Sequence, residues 1–170
     1  MDFYIRNVEE KDLMQVAELC VNDWKNAYKD FINKEYLDSL NANDKYERFK
    51  LNYKEGHFIV AVDKDERVVG FCRYYDEYRD NPDDDEIDCE LCVLYVNWDD
   101  RGKGIGAALV DFVKNYFRSI GKQRMLIWCF KDNIKARGFY EKMGGKLYGQ
   151  KMVDKNGQKL EEVGYEYELL

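Results

Sequence analysis

The sequence predicts a single α/β domain in which helices cover both faces of a mixed β-sheet. Its length of 170 residues is typical of one domain. The hydrophobic pattern predicts a strand, helices, three strands, a helix, a strand, a helix and two final strands. Residues 87–96 are apolar at both odd and even positions, as expected of a central strand that is covered on both sides.

The N-terminal part of the chain predicts one strand followed by helices. Residues 3–6 have the pattern of a short strand, and residues 9–25 that of an amphipathic helix. The apolar positions of this helix are Leu13, Val16, Ala17, Cys20, Val21 and Trp24. Residues 31–53 predict one or two further helices. Their expected buried positions are Tyr36, Leu37, Leu40, Tyr46, Phe49 and Leu51.

The remaining elements predict two hairpins with alternating helices and strands between them. Residues 57–62 and 67–75 are expected to form a hairpin, and residues 79–86, with the only proline, a solvated loop. The later elements are a helix at 105–117, a strand at 123–130, a helix at 133–143 and strands at 146–153 and 160–169. The apolar stripe of the first of these helices is Ile105, Ala108, Leu109, Phe112, Val113 and Tyr116. Asn156-Gly157 predicts the closing hairpin turn.

Composition excludes several classes of protein. Apolar residues make up 45% of the chain, which excludes a disordered protein. A net charge of −7 argues against a nucleic-acid partner, which requires a basic surface, and is compatible with a cationic substrate. No run approaches the ~20 apolar residues of a membrane span. Because the N-terminal residues also lack a signal-peptide pattern, we expect a cytoplasmic protein with no membrane partner.

The five cysteines are an odd number scattered through apolar runs. Cys89 and Cys92 form a C-x-x-C pattern, but positions three apart in a strand face opposite sides of a sheet. No second pair or histidine cluster completes a zinc site. We therefore expect buried, reduced thiols and no metal.

The glycine-rich segment 101–106 is the most informative feature, because it lies between a predicted strand and a predicted helix. Backbone N–H groups at such a helix start bind phosphate. The Gly-Lys-Ser/Thr ending of a P-loop is absent. Gly102-x-Gly104-x-x-Ala107 matches a dinucleotide fingerprint only formally, since it does not follow the first strand of a doubly wound unit. A glycine turn without a ligand is a further alternative.

Two segments carry a resemblance to a known family. Residues 94–96 followed by 101–109 resemble the acetyl-CoA loop of the GNAT N-acetyltransferase family, Gln/Arg-x-x-Gly-x-Gly/Ala, which is met by Arg101, Gly104 and Gly106. Residues 133–144 are similar to the second signature of the family, Asn-x-x-Ala-x-x-Phe-Tyr-Glu-Lys-x-Gly. The two motifs occur in the family's order with one predicted strand between them, which makes the resemblance specific.

This resemblance implies a fold and a cofactor. It implies one acetyltransferase domain over residues 1–170, with a mostly antiparallel sheet whose two central strands splay around acetyl-CoA, the co-substrate. The amides of residues 102–107 are expected to cradle its pyrophosphate, and residues 94–96 to pair with its pantetheine arm. The implied cofactor-binding residues are Leu94, Tyr95, Val96, Arg101, Gly102, Lys103, Gly104, Ile105, Gly106, Ala107, Asn133, Ala136 and Tyr140.

Three of these residues have more than one expected role. Arg101 and Lys103 either add positive charge near the phosphates or are ordinary solvated side chains. Asn133 contacts the cofactor arm, caps the helix that follows it, or does both.

Tyr140 and Glu90 are the catalytic residues that the resemblance implies. The family often uses a tyrosine at the position of Tyr140 to protonate the departing CoA thiolate. The alternative is a core tyrosine, but we expect Phe139 to take the core position instead. Glu90 lies eleven residues before Arg101, a spacing at which some members place a general base. Its alternatives are a structural ion pair or a water relay to a second acid such as Asp88.

The implied reaction is direct transfer of an acetyl group from acetyl-CoA to a primary amine. The acidic loop at 76–88 favours a small cationic acceptor, and Tyr28 and Tyr36 are open candidates for its walls, whereas Trp24 is expected in the core. A catalytic role for His57 is not expected. Alternatives are a protein or peptide amine as acceptor, a non-catalytic CoA-binding sensor, and a dehydrogenase. The resemblance makes a homodimer possible.

Overall fold

The computed structural model describes residues 2–170, and within them it shows seven strands and five α-helices. The strands are β1 (Phe3–Asn7), β2 (His57–Asp63), β3 (Val68–Tyr75), β4 (Cys89–Val96), β5 (Arg124–Phe130), β6 (Lys146–Lys155) and β7 (Gln158–Glu168). The helices are α1 (Leu13–Ala27), α2 (Lys34–Ser39), α3 (Ala42–Asn52), α4 (Ile105–Ser119) and α5 (Ile134–Lys142). Each predicted element is therefore present in the predicted order.

The strands are hydrogen-bonded in the order β1-β2-β3-β4-β5-β7-β6. The pairs β1–β2, β2–β3, β5–β7 and β7–β6 are antiparallel, whereas β4 and β5 are parallel. The parallel ladder joins only Cys89 to Met125 and Glu90 to Leu126, although β4 continues to Val96. This confirms the mixed, mostly antiparallel sheet.

The chain divides into two compact units. The first comprises the described residues up to Tyr74 together with Val93–Asp111, and the second comprises Tyr75–Cys92 and Phe112–Leu170. Strand β4 and helix α4 each contribute residues to both units.

In the first unit, helices pack on both faces of β3. A Cβ added to Gly70 would lie 2.9 Å from Cγ2 of Ile105 and 3.2 Å from Cδ1 of Leu109, so α4 covers that face. The next residue, Phe71, points to the opposite face because successive strand side chains alternate. There its ring lies 6.1 Å from that of Phe49 on α3. The predicted placement of helices on both faces is therefore correct in this unit.

In the second unit, a long hairpin of β6 and β7 extends the sheet from β5. Asn156 and Gly157 have φ values of 52° and 85°, so both turn residues adopt the left-handed conformation that the Asn-Gly pair predicts. A separate apolar cluster contains Tyr78, Ile87 and Leu126. Tyr78 and Ile87, which flank the loop at 79–86, thus pack against β5. The loop itself is exposed except at Asp84, which is half-buried, so the prediction of a solvated loop is confirmed.

Several predicted buried positions are wrong. Leu51 is 86% exposed and Phe112 is 40% exposed. Strand β4 is buried from Cys89 to Leu91, but Cys92 is exposed and the rest of the strand is half-buried, so the expectation of a strand covered along its whole length fails. Cys129 is also only half-buried. Among the described residues, none of the helices combines the length and apolar character needed to cross a membrane.

Candidate functional site

The glycine loop joins β4 to the start of α4 in the first unit. Gly102 and Gly104 have φ values of 77° and 85°, a conformation that side chains other than glycine rarely adopt. A Cβ added to either glycine would have no atom within 4 Å, so the space in front of the loop backbone is open. The first helical hydrogen bond runs from the N–H of Ala108 to the carbonyl of Gly104 over 3.0 Å.

Three backbone N–H groups precede that first helical hydrogen bond. They belong to Ile105, Gly106 and Ala107, the opening residues of α4. Such groups lie outside the helical ladder and at the positive end of the helix dipole. Because the glycines before them leave open space, this loop has the geometry of an anion site.

Arg101, the first residue of the loop, forms an ion pair with Asp23 of α1. Its guanidinium carbon also lies 4.4 Å from the ring centroid of Trp98. Asp23 is only 4% exposed. Burial raises the pKa of this carboxyl to about 6, although Arg101 acts in the opposite direction.

Lys103 also forms an ion pair within the first unit, with the buried carboxylate of Asp100. The Lys103 Nζ to Asp100 Oδ1 distance is 2.7 Å, and Arg67 Nη1 donates to Oδ2 of the same carboxylate over 2.8 Å. Asn97 Nδ2 donates to Oδ2 as well, over 2.7 Å. These donors hold the pKa of Asp100 well below its ordinary value, although burial opposes them. Arg101 and Lys103 are thus exposed residues whose charged ends each pair with a buried aspartate.

The half of β4 next to the loop belongs to the first unit. Its side chains at Leu94, Tyr95 and Val96 are half-buried. The hydroxyl of Tyr95 accepts a hydrogen bond of 2.8 Å from Nε1 of Trp24, and its ring centroid lies 5.2 Å from that of Phe71. The ring of Tyr95 is thus used in packing, which leaves only its backbone for the expected strand-like contact.

Glu90 lies on the half of β4 that belongs to the second unit. The residue is 8% exposed, and its Oε1 accepts a hydrogen bond of 3.1 Å from Nε of Arg79. Arg79 lies in turn with its guanidinium carbon 3.5 Å from the ring centroid of Tyr75. Burial raises the pKa of Glu90, and the Arg79 charge partly offsets that rise.

The pairing of Glu90 with Arg79 is the structural ion pair that the sequence left as an alternative. This ion pair is compatible with a role of Glu90 as a base, since the contact of Arg79 is with one of its two carboxylate oxygens, Oε1. The proposed relay partner, Asp88, has another task. Its two carboxylate oxygens accept from the backbone N–H groups of Gln123 and Arg124 over 3.0 and 3.1 Å.

Helix α5 of the second unit carries the second signature. Asn133 caps this helix, since its Oδ1 accepts from the N–H of Ala136 over 3.2 Å. The capping role expected for Asn133 is therefore present. Ala136 itself is half-buried.

Tyr140 is buried, at 6% exposure, whereas Phe139 is only half-buried. The expectation that Phe139 would take the core position in place of Tyr140 is thus wrong. The end of the helix is held by backbone contacts, because the carbonyl of Tyr140 accepts from the hydroxyl of Tyr167 over 2.8 Å and from the N–H of Gly145 over 2.9 Å. A Cβ at Gly145 would lie 2.8 Å from Tyr167, which explains glycine there.

Most carboxylates of the acidic loop have partners in the second unit. Of the eight acidic residues between positions 76 and 88, five accept hydrogen bonds or form ion pairs: Asp76, Asp80, Asp84, Glu86 and Asp88. The other three, Glu77, Asp83 and Asp85, are exposed and have no hydrogen-bond or ion-pair partner in the described part of the chain. Two of the five, Asp80 and Glu86, pair with the cations Lys151 and Arg124, so the free negative charge of the loop is smaller than its sequence indicates.

The aromatic candidates of the N-terminal helices form a cluster in the first unit. Trp24 and Tyr28 are buried with their ring centroids 4.9 Å apart, and Tyr36 is half-buried at 6.3 Å from Trp24. The core position expected for Trp24 is correct. His57 stacks on Tyr74 at 4.7 Å. Within residues 2–170, no three His, Cys, Asp or Glu side chains gather in a way that suits a metal ion.

Comparisons with known proteins identify the family of this chain. The sequence model of the acetyltransferase (GNAT) family matches residues 20–145. The chain belongs to this family. The N-acetyltransferase YuaI of Bacillus subtilis, which is itself uncharacterised, is 25% identical over 160 residues, or 94% of this chain and 90% of the relative. This chain is accordingly an N-acetyltransferase.

Solved structures of similar fold include one that contains coenzyme A and one that contains acetyl-CoA. The PaiA N-acetyltransferase of Thermoplasma acidophilum in complex with coenzyme A has a TM-score of 0.70 at 22% identity, with 99% of each chain covered. The yncA protein of Salmonella typhimurium, solved with its cofactor acetyl-CoA, has a TM-score of 0.69 at 17% identity. The match covers 98% of this acetyltransferase and 94% of yncA. At these identities the likeness shows the fold.

Sequence reasoning missed Asp23, Arg79 and Asp100. One of them left a readable signal, because Asp23 falls on the apolar stripe of α1, three residues after Cys20 and seven after Val16. A charge at such a position requires a partner when it is buried. Nothing in the sequence indicates that this partner is Arg101, 78 positions away.

Proposed function

We propose that this N-acetyltransferase uses acetyl-CoA as its acetyl donor and a primary amine of a small cationic molecule as its acceptor. The observation that carries the donor assignment is the glycine loop at the start of α4. Two left-handed glycines with open space before them precede three N–H groups outside the helical ladder. This donor set fits a diphosphate, which needs several N–H donors close to the loop backbone.

The loop cations support the same assignment in an indirect way. Arg101 and Lys103 are each paired with a buried aspartate, so the backbone N–H groups supply the main contacts to the diphosphate. Leu94, Tyr95 and Val96 offer strand backbone to the pantetheine arm, and Asn133 and Ala136 line the cofactor from the start of α5. Bound acetyl-CoA supplies an activated thioester.

Glu90 and Tyr140 manage the two protons of the transfer. Glu90 accepts a proton from the attacking ammonium, either directly or through water, and its buried position suits this role because burial raises its affinity for a proton. Tyr140 donates a proton to the departing thiolate sulfur. The anchored backbone carbonyl of Tyr140 fixes the end of the helix that carries this side chain.

The amine attacks the thioester directly, with both substrates bound at once. An acetyl-enzyme on cysteine would require a nucleophilic thiol. Cys20, Cys72 and Cys89 are buried, whereas Cys92 is exposed and Cys129 half-buried. Burial raises the pKa of Cys20 to about 11, which disfavours its thiolate. Kinetics with both substrates varied distinguish the two routes, because direct attack gives intersecting reciprocal plots and an acetyl-enzyme gives parallel ones.

The acceptor assignment rests on charge. The chain carries a net charge of −7, and Glu77, Asp83 and Asp85 of the acidic loop are exposed. Such charges attract cations and raise their rate of encounter at low ionic strength. A panel of diamines, polyamines, neutral monoamines and peptides tests this proposal. A preference for polycations that falls with added salt supports it, and equal turnover of neutral amines contradicts it.

Isothermal titration calorimetry tests the donor assignment. We expect CoA and acetyl-CoA to bind the purified chain, and NADH not to bind. Absence of CoA binding would overturn the proposal, and binding of CoA without turnover of any amine would favour the sensor alternative.

We further propose that the whole chain works as one acetyltransferase domain, since β4 and α4 run from one unit into the other. A single cooperative unfolding transition is the expected result.

A further inference from the structure

Asp23 is a buried carboxylate that the proposed reaction does not use. It lies on the apolar stripe of α1 and is 4% exposed. An ionised carboxylate in such a position costs free energy unless a cation pairs with it. Here the cation is Arg101, whose Nη2 donates to Oδ1 of Asp23. The ion pair therefore joins the first helix of the chain to the first residue of the glycine loop.

Arg101 is held on two sides. Asp23 accepts a hydrogen bond from its Nη2, and its guanidinium carbon lies over the ring of Trp98, 4.4 Å from the ring centroid. Gly102 follows at once with a φ of 77°, and Gly104 with a φ of 85°. Glycines leave a loop many alternative conformations, so side-chain anchors beside them determine which one is populated.

Tyr95, close to the end of β4, is held by the same helix. Trp24, the neighbour of Asp23, donates from Nε1 to the hydroxyl of Tyr95 over 2.8 Å. Two consecutive residues of α1 thus hold the end of β4 and the beginning of the loop. Lys103 is anchored separately through Asp100.

We propose that Asp23 is a positioning residue for the donor site: it holds Arg101, and through it the loop backbone, in the conformation that receives a diphosphate. This inference rests on the proposed use of acetyl-CoA. Asp23 touches neither substrate. When it is replaced, the loop samples other conformations, and binding has to restore the productive one. The affinity for CoA then falls, while the chemical step is little changed.

The test compares Asp23→Asn with the wild type by calorimetry with CoA and by steady-state kinetics with acetyl-CoA. We expect the dissociation constant and the KM for acetyl-CoA to rise roughly tenfold, with kcat within about twofold, because a charge-assisted hydrogen bond is lost. An unchanged dissociation constant in a folded Asp23→Asn protein would overturn the proposal.

Asp12→Asn is the matched control. Asp12 is 1% exposed, comes directly before α1, and accepts from Nη1 of Arg6 over 2.7 Å. It is thus a buried aspartate–arginine pair at the other end of the same helix. We expect Asp12→Asn to leave the dissociation constant for CoA unchanged. An equal loss of CoA affinity in both variants would show a general effect of α1 and overturn the specific role of Asp23.

A double-mutant cycle tests whether Asp23 acts through Arg101. Arg101→Gln should raise the dissociation constant about as much as Asp23→Asn, and the double variant no further. Additive effects would overturn the proposal. If Asp23→Asn does not fold, Asp23→Glu, which keeps the charge but displaces it, takes its place in the cycle, and an unchanged dissociation constant in a folded Asp23→Glu protein would overturn the proposal. Wild-type protein that fails to bind CoA would overturn the proposed function itself, whereas normal wild-type binding with unaffected variants would overturn only this inference.

Discussion

Arg79 donates a hydrogen bond from Nε to Oε1 of Glu90 over 3.1 Å, which gives the candidate base a permanent cationic neighbour. Arg79 is itself stacked at 3.5 Å on the ring of Tyr75, so it cannot swing away without losing a cation–π contact. Two effects thus oppose each other at Glu90. Burial raises its pKa and Arg79 lowers it, and burial is the larger of the two.

Removing the Arg79 charge should shift the pH dependence of the reaction. In Arg79→Met, the pKa of Glu90 rises further, because burial then acts without the offsetting cation. A base works in its ionised form, so the acid limb of the kcat/KM profile should move to higher pH. The profile is that of kcat/KM for the amine, measured with saturating acetyl-CoA. Glu90→Gln should abolish this limb, and a shift that persists in Glu90→Gln/Arg79→Met would show that another group titrates.

Tyr140→Phe tests the acid role. Loss of the hydroxyl should lower kcat by roughly 10²- to 10⁴-fold, which is the usual contribution of a general acid. Tyr116→Phe is the control, because Tyr116 also carries a hydrogen-bonded hydroxyl, which donates to Asp76 over 3.2 Å. We expect its kcat to be unchanged. Because Tyr140 is buried, near-UV circular dichroism is used to check that the substitution has not altered the fold. Wild-type turnover in a folded Tyr140→Phe protein would contradict the assignment.

Gly104→Ala should weaken CoA binding through backbone strain. Gly104 has a φ of 85°, and an L-residue in that conformation costs about 1–2 kcal/mol. Gly157 offers a close control, since it has the same φ of 85° in the turn between β6 and β7 and likewise has no atom within 4 Å of an added Cβ. Both alanine variants should lose similar stability in urea unfolding. Only Gly104→Ala should raise the KM for acetyl-CoA, and a rise in both would remove the loop assignment.

The buried Asp23 predicts a specific pH dependence of stability. Its pKa is about 6 in the folded protein, against about 3.9 for an unperturbed aspartate. The groups that face it are Arg101 from the loop, Tyr95 from β4 and Cys20 from α1, and Lys45 of α3 acts on Cys20 in turn.

Because the folded state holds the Asp23 proton more tightly than the unfolded state, the free energy of unfolding falls as pH rises through this window. Asp23→Asn lacks the titration and should gain stability relative to the wild type between about pH 4 and 6. Urea unfolding at several pH values measures the difference. Asp12→Asn should behave oppositely, since the pKa of Asp12 is lowered and its contribution disappears only in more acidic solution. Parallel curves for the two variants would show that at least one of the two directions is wrong.

Local pattern predicted the elements well because each depends on neighbours in sequence. The amphipathic stripe of α1 and the Asn156-Gly157 turn are set by residues within one or two helical turns or a single hairpin. Burial was predicted less well on α3, where Leu51 is 86% exposed. An apolar residue on a short helix does not show by itself whether another element covers it, since covering depends on partners distant in sequence.

The candidate site was predictable only where a motif encodes a backbone shape. Gly102 and Gly104 are left-handed as a phosphate loop requires, and Asn133 caps its helix. The ion pairs around the site could not be predicted from the sequence. Asp23 and Arg101 are 78 residues apart, and an ion pair between distant residues produces no periodic pattern in the sequence. The relative burial of Phe139 and Tyr140 was wrong for a similar reason, since adjacent residues of a helix differ by what packs against each.

The two adjacent anchors on α1 have a practical meaning for engineering. Asp23 and Trp24 of α1 hold Arg101 and Tyr95. If the glycine loop is the donor site, as proposed, α1 therefore contributes to the shape of that site. A chimaera that imports another enzyme's first helix to alter acceptor choice would therefore have to transplant positions 23 and 101 as a pair. Exchanging the helix alone would leave one member of the Asp23–Arg101 pair without its partner, and the proposal then predicts weaker binding of CoA as well.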